Sequence, residues 1–218
     1  KQGGQLKTVK AAKEVILAAG AVQSPQLLEV SGVGDSERLA RLGIKVVHAS
    51  PEVGENYQDH FATRMNWRVH GVRTLNETTR GLSLVRSVLQ YALTRRGLLT
   101  LGTGLVHGFV RSSPSAVSPD IQYFFMHASY ANAAVRALDK KPGMTLGVTG
   151  LQPTSRGSIH AQSVDMLTQP AICPNFLATT EDQVCLINGM KIARDLMKQP
   201  AIAKYIVSEM NPGQDVQS

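Results

Sequence analysis

Residues 20–34 read GAVQSPQLLEVSGVG, and the eleven residues before them read VKAAKEVILAA. The run Val15-Ile16-Leu17 passes directly into Ala18-Ala19-Gly20. A continuous apolar run that ends on a small-residue turn has the form of a buried parallel strand. A second short strand is expected over Lys7 to Lys10. Small side chains at such a turn, a bare Cβ on alanine and none on glycine, let a flat nucleotide approach the main chain. A tight strand-to-helix turn has the same composition, so both readings stand at this point. Ser24-Pro25 offers an N-cap with proline at the first helical position and predicts a helix through Val30. Gly32 and Gly34 stop it.

Working outward, Asp35 or Ser36 caps a second short helix, SERLARL, with Gly43 just past its end. IKVVH at 44–48 reads as a strand and SPEVGENYQDH at 50–60 as a polar loop. From residue 62 the pattern changes. RMNWRVH at 64–70 alternates, with Met65, Trp67 and Val69 on one face. Strands are expected at 105–112, 121–128 and 144–152, with a turn and strand at 155–163. Leu82, Val85, Leu89 and Ala92 predict a helix over 81–97. A long helix is expected from Glu181 to Lys198, capped by Thr180, with Val184, Ile187, Met190, Ile192 and Leu196 on its apolar side. Strand-helix-strand order followed by several strands and a helix predicts an α+β chain. Its first part is the end of an α/β layer, and its second is an antiparallel sheet with helices on one face. The boundary falls near residue 61, giving segments 1–61 and 62–218.

The 218 residues carry a net charge of +7, with 43% hydrophobic and 18% charged residues. That composition buries a core and is not that of a disordered chain. The basic residues are scattered, the densest spots being the pairs Arg95-Arg96 and Lys140-Lys141. Aromatics do not interleave with them, so a solvated surface is expected and no nucleic-acid partner. No apolar run is long enough to span a membrane. The opening KQGGQLKTVK has neither a Met nor an apolar signal region. Cys173 and Cys185 are expected to be reduced core thiols in a cytoplasmic protein. His107, His127 and His160 fall in separate strands, and their spacing does not argue a metal site. Phe124, Phe125 and Met126 read as a core strand or as the wall of an apolar pocket.

The stretch at 20–34 resembles a signature of the glucose-methanol-choline (GMC) flavoprotein oxidoreductases. That signature is Gly-Ala, two residues, Ser or Thr, Pro, one residue, two aliphatics, two residues, then Ser-Gly-aliphatic-Gly. Gly20, Ala21, Ser24, Pro25, Leu27, Leu28, Ser31, Gly32, Val33 and Gly34 all match it. LARLGIKVVHASPEVGENYQDH is similar to the family's segment ending Pro-x-Val-Gly-x-Asn-Leu-x-Asp-His, with Tyr57 in place of the Leu. RGLLTLGTGLVHGFVRS and LQPTSRGSIHAQSVDMLTQPAICPNFLATTEDQVCLINGMKIARDLMKQPAI resemble later family segments. The likeness therefore runs along nearly the whole chain.

The resemblance implies FAD as cofactor and a primary alcohol as the small-molecule substrate, oxidised by hydride transfer to the flavin. It makes 1–61 the C-terminal portion of an FAD-binding domain and 62–218 a truncated substrate domain. It assigns Ala18, Ala19, Gly20 and Ala21, with Asn56, Asp59 and His60 of the following loop, to the cofactor. The pair Asp59-His60 suggests acid-base chemistry or, because neighbouring side chains diverge, a loop fixed by hydrogen bonds. The family's GxGxxG and its catalytic His segment have no counterpart here. The expectation is an internal fragment, choline-dehydrogenase-like, with no catalytic residue of its own and no activity in isolation. Choline-acting relatives carry DHPEG where this chain has DHFAT, so Ala62 removes the carboxylate that would face a quaternary ammonium. The same family also contains lyases. A non-enzymatic truncated paralogue, kept as a binding or interaction module, is the alternative. Strands at 15–17 and 44–48 without neighbours predict homo-oligomerisation or aggregation through exposed sheet edges.

Overall fold

The computed structural model describes residues 7–102, 104–132, 135 and 137–216. In chain order its elements begin with α1 (Gly20–Val30), β1 (Val33–Gly34), α2 (Ser36–Arg41), β2 (His48–Ala49) and β3 (Ala62–Val69). Then come α3 (Leu75–Thr78), α4 (Gly81–Thr94), β4 (Val106–Val110), β5 (Ile121–Met126), β6 (Tyr130–Asn132) and β7 (Ala137–Leu138). The chain continues with β8 (Gly143–Gly150), β9 (Ser158–His160), β10 (Ala171–Cys173), α5 (Thr180–Met197), α6 (Pro200–Ala203) and β11 (Ile206–Asn211). They form two compact units. One holds the chain up to Tyr57 together with Arg156–Asn175, and the other holds Gln58–Ser155 and the chain from Phe176 onward. The α+β class read from the sequence is the class observed.

In the first unit, β1 and β2 pair in parallel, with Val33 opposite His48. β9 and β10 pair antiparallel, with Ile159 opposite Ile172. Gly32 follows the C-cap of α1 at φ +89, and a Cβ there would sit 2.6 Å from the Lys45 carbonyl oxygen. Only glycine lets the 44–47 segment come that close. Asp35 caps α2, its side chain accepting a 2.8 Å hydrogen bond from the Arg38 N–H.

Several expectations are corrected here. Residues 7–10 and 14–17 are irregular rather than strands, with Val15 and Ile16 more than 80% exposed. A strand is held by its ladder, and among the described residues no strand pairs with either segment. Of the strand expected at 44–48, only His48 lies in β2, where Gly34 and Val33 offer a partner. Helix α1 begins at Gly20, four residues before the expected N-cap, and encloses Pro25. The ring there removes one helical hydrogen bond close to the N-terminus, where few bonds precede it. Cys173 is free and exposed on β10 rather than in the core, and Cys185 is free and half-buried.

Among the described residues the second unit is built on one antiparallel sheet of order β11-β3-β8-β5-β4. β8 lies at its centre and is buried along almost its whole length. Register puts Met65 opposite Leu146 and Val148 opposite Tyr123, so one face carries the apolar side chains. α5 covers that face. Its buried residues are Leu186, Gly189, Ala193 and Met197, whereas Val184 and Leu196, expected on its apolar side, are exposed. Gly189 decides this rotation. A Cβ there would lie 2.9 Å from both Ile121 Cδ1 and Val148 Cγ1, so the helix rests its backbone on the sheet. The Tyr123 hydroxyl donates to the Gly189 carbonyl at 2.7 Å and fixes the contact. The α5 N-cap is Thr179, one residue before the expected one, and its hydroxyl accepts from the Asp182 N–H.

Candidate functional site

The small-residue turn opens α1. Ala18, Ala19, Gly20 and Ala21 are all exposed. Gly20 sits at φ +83, and a Cβ built on it would meet nothing within 4 Å. Its conformation therefore suits glycine, and the space in front of it is open. The N-cap residue Ala19 makes no side-chain hydrogen bond, and the first turn holds no acidic residue. The first-turn amides of a helix have no intrahelical partner, so the positive end of this 11-residue helix, with open space at Gly20, fits an anionic group such as a dinucleotide pyrophosphate.

Behind this turn α1 is anchored by two buried polar residues. Gln26 is buried and donates through Nε2 to the Thr168 carbonyl at 2.7 Å. Glu29 is wholly buried. Its Oε2 accepts the Ala161 N–H at 2.6 Å, and its Oε1 lies 2.8 Å from His160 Nδ1. The other ring nitrogen of His160 lies 3.0 Å from Glu55 Oε1. Arg38 reaches both carboxylates at 3.8 Å. A carboxylate accepts only, and a neutral imidazole donates from one nitrogen. Two carboxylate contacts on one ring therefore hold two protons among the three groups, a bridge of charge-assisted hydrogen bonds.

The glycines around this bridge are explained by it. A Cβ on Gly34 would sit 3.2 Å from Glu29 Cγ. A Cβ on Gly54, at φ +84, would run into the Ile159 carbonyl and stand 2.7 Å from His160 Nδ1. α1, the 50–57 turn and β9 are thus closed on one buried charge cluster. Sequence reading missed Glu29 and treated His160 only as an unlikely metal ligand. The signal was weak: Gln26 and Glu29 stand three residues apart on one side of α1, but Gln23 and Ser24 make the same helix polar elsewhere.

The remaining residues expected at the site lie on the loop. Asn56 adopts φ +60, is exposed, and donates through Nδ2 to Glu52 Oε2 at 3.1 Å. In the second unit, Asp59 Oδ1 accepts the His60 N–H at 2.7 Å, and His60 Nε2 donates to the Leu151 carbonyl at 3.1 Å. Both residues are exposed.

The second unit offers a different surface. Alternation along β5 turns Gln122 and Phe124 away from α5. His107 packs edge-on to Phe124, with ring centroids 4.9 Å apart, and accepts at Nδ1 from Gln122 Nε2 at 3.3 Å. Gly147 stands beneath the Phe124 ring, and Arg64 is its β3 partner. Thr149, the β8 partner of Gln122, has a buried hydroxyl without a partner. In the nearby strand end, burial holds the His127 imidazole below its ordinary pKa. Of the aromatic run, Phe125 packs on the core and Phe124 lies on the opposite face of the sheet, against His107. Among the described residues no group of three His, Cys, Asp or Glu is arranged to hold a metal ion.

Two family models described as GMC oxidoreductase match the chain, one over residues 1–62 and one over residues 153–218. The chain belongs to the GMC oxidoreductase family. An alcohol dehydrogenase [acceptor] of Pseudomonas putida is 38% identical over 98% of this chain and 39% of its own length. An oxygen-dependent choline dehydrogenase of Pseudomonas syringae pv. tomato is 35% identical over 96% of this chain and 37% of its own. The chain thus spans under two fifths of the length of these relatives. Among solved structures, a formate oxidase of Aspergillus oryzae RIB40 superposes with a TM-score of 0.84 at 24% identity, covering 95% of this chain and 41% of that one. A fungal aryl-alcohol oxidase superposes at 0.72 and 19%, covering 92% and 40%. These last two likenesses establish the fold. No helix among the described residues is long and apolar enough to cross a membrane.

Proposed function

We infer that this chain is part of an FAD-dependent oxidoreductase that converts a primary alcohol to its carbonyl product. The observation that carries the reading is the start of α1: four exposed small residues, open space at Gly20 and a first turn free of acid. The flavin, when bound, supplies the hydride acceptor. In this reading the main chain of Ala18, Ala19, Gly20 and Ala21 bears the dinucleotide, and the Glu29–His160–Glu55 bridge holds that turn in place. Asn56, Asp59 and His60 are assigned to the same cofactor by the family resemblance of their loop. The relatives named as alcohol and choline dehydrogenases support a CH–OH donor. Ala62, in place of the choline enzymes' Glu, argues against a quaternary ammonium. On the sheet face turned away from α5, Phe124 offers an apolar contact, and the Gln122–His107 pair carries further hydrogen-bonding groups for a hydroxyl.

The test is an FAD titration followed by flavin fluorescence, comparing the chain with Ala21→Glu. An acid in the first turn favours the helix dipole, so the fold is kept. The same charge repels a pyrophosphate, and FAD binding is expected to weaken roughly tenfold. Equal FAD affinity in the two proteins would overturn the assignment of this turn.

A further inference from the structure

α4 presents its apolar side outward. Leu82 is 89% exposed and Leu93 83%, with Leu89 and Val85 above half. These four lie on one stripe of the helix, and none of the helix's residues is buried. The side turned inward is the polar one: Ser83, Ser87 and Tyr91 are its half-buried residues. The arrangement is the reverse of a helix packed on its own core. An apolar stripe of this kind marks a surface that something else covers.

Charge indicates what covers it. Between Thr78 and Pro119 the sequence holds Arg80, Arg86, Arg95, Arg96 and Arg111, and no Asp or Glu. Arg86 flanks the stripe, and Arg95 and Arg96 close its C-terminal end. Arg95 also lies 5.4 Å from the Tyr91 ring centroid, so its guanidinium is held beside the helix. A second copy of the chain would bring the same cations against these, which disfavours a self-complementary contact. An anionic surface is complementary to them. With 14 residues α4 is too short to cross a bilayer, yet it suits lying in the plane of one.

We propose that α4 is an interfacial membrane-docking helix that seats Leu82, Val85, Leu89 and Leu93 in the headgroup boundary of an anionic bilayer, with its arginines on the lipid phosphates. The inference is independent of the flavin reading.

The experiment is vesicle flotation of the 218-residue chain. The probes are phosphatidylcholine vesicles with and without about a third phosphatidylglycerol, a level that leaves a strong negative surface potential at low salt. The chain is expected to float with the anionic vesicles and not with the neutral ones. Salt near 0.5 M is expected to weaken binding by screening the arginines. Replacing both Arg95 and Arg96 by Gln removes two surface charges and is expected to lower the partition about 30-fold. Leu82→Ser with Leu93→Ser is expected to abolish flotation while circular dichroism stays unchanged. Equal binding to neutral vesicles, no binding to anionic ones, or full binding by the folded serine variant would overturn the proposal. So would a chain that sediments as a dimer only until the leucines are replaced and never floats, because the stripe would then be a contact between copies.

Discussion

Replacing His160 with leucine tests the bridge behind the small-residue turn. Glu29 is wholly buried, with three polar neighbours: the Ala161 N–H at 2.6 Å, His160 Nδ1 at 2.8 Å and Arg38 at 3.8 Å. Without the imidazole, Oε1 keeps only the arginine, which is beyond hydrogen-bond length. Breaking a buried pair by deleting one partner costs about 3–5 kcal/mol, because the other charge is left uncompensated. Glu55 is 41% exposed on its side chain, so its loss adds at most about 1 kcal/mol. The chain's one tryptophan, Trp67, lies in the other unit and does not report on this cluster. Hydrogen exchange of peptides covering 20–30 and 156–163 does. A loss of about 3–5 kcal/mol in opening free energy corresponds to exchange roughly a hundred to several thousand times faster. The companion Glu29→Gln with His160→Leu leaves no charge buried and is expected to be milder than His160→Leu alone. Exchange within tenfold of the parent chain, or a double variant worse than the single, would refute the reasoning.

Gly189→Ala places a methyl 2.9 Å from Ile121 Cδ1 and Val148 Cγ1. Overpacking costs about 1–3 kcal/mol against a helix-propensity gain of about 1, so the urea midpoint read from Trp67 emission is expected to fall. Combining it with Ile121→Val, which removes the Cδ1 atom, is expected to recover part of the loss. Arg194 pairs with Glu209 Oε1 and Oε2 at 2.9 Å, with both side chains nearly buried. Arg194→Leu is expected to lower the unfolding free energy read from the same urea transition by about 3–5 kcal/mol, with Arg194→Lys intermediate because it lacks the planar fork. Asp182 is pushed up by burial but held at about 2 overall, because hydrogen bonds from Ser155 and Thr154 favour its carboxylate. Its folded value lies below the unfolded 3.8, so its contribution is full above pH 3.8 and lost as pH falls through about 2. Acid unfolding of Asp182→Asn is expected to lose that dependence across the window, while the parent chain keeps it.

The elements that could be read from the sequence were those whose burial is one-sided and local. Met65, Trp67 and Val69 alternate because β3 has one face on the core, and that alternation is written within eight residues. Gly32 and Gly43 mark helix ends because positive φ is a local demand. The readings that failed depended on a partner. Val15, Ile16 and Leu17 have the composition of a central strand, but composition cannot supply the neighbouring strand that makes one. In α5 Met190 and Ile192 pack on the core as expected, but Val184 and Leu196 are exposed and the backbone of a glycine rests on the sheet. Side-chain hydrophobicity ranks what a residue gains by burial, whereas close approach of two backbones is decided by what a residue lacks. The candidate site follows the same division. Its glycines were legible as a motif, but Glu29 and His160 stand 131 positions apart and become one feature only when β9 is folded against α1. The motif's spacing is thus the local half of a constraint whose other half is a buried imidazole on a distant strand. For that reason a substitution at His160 is expected to disturb the turn at Gly20 without touching any residue of the signature itself.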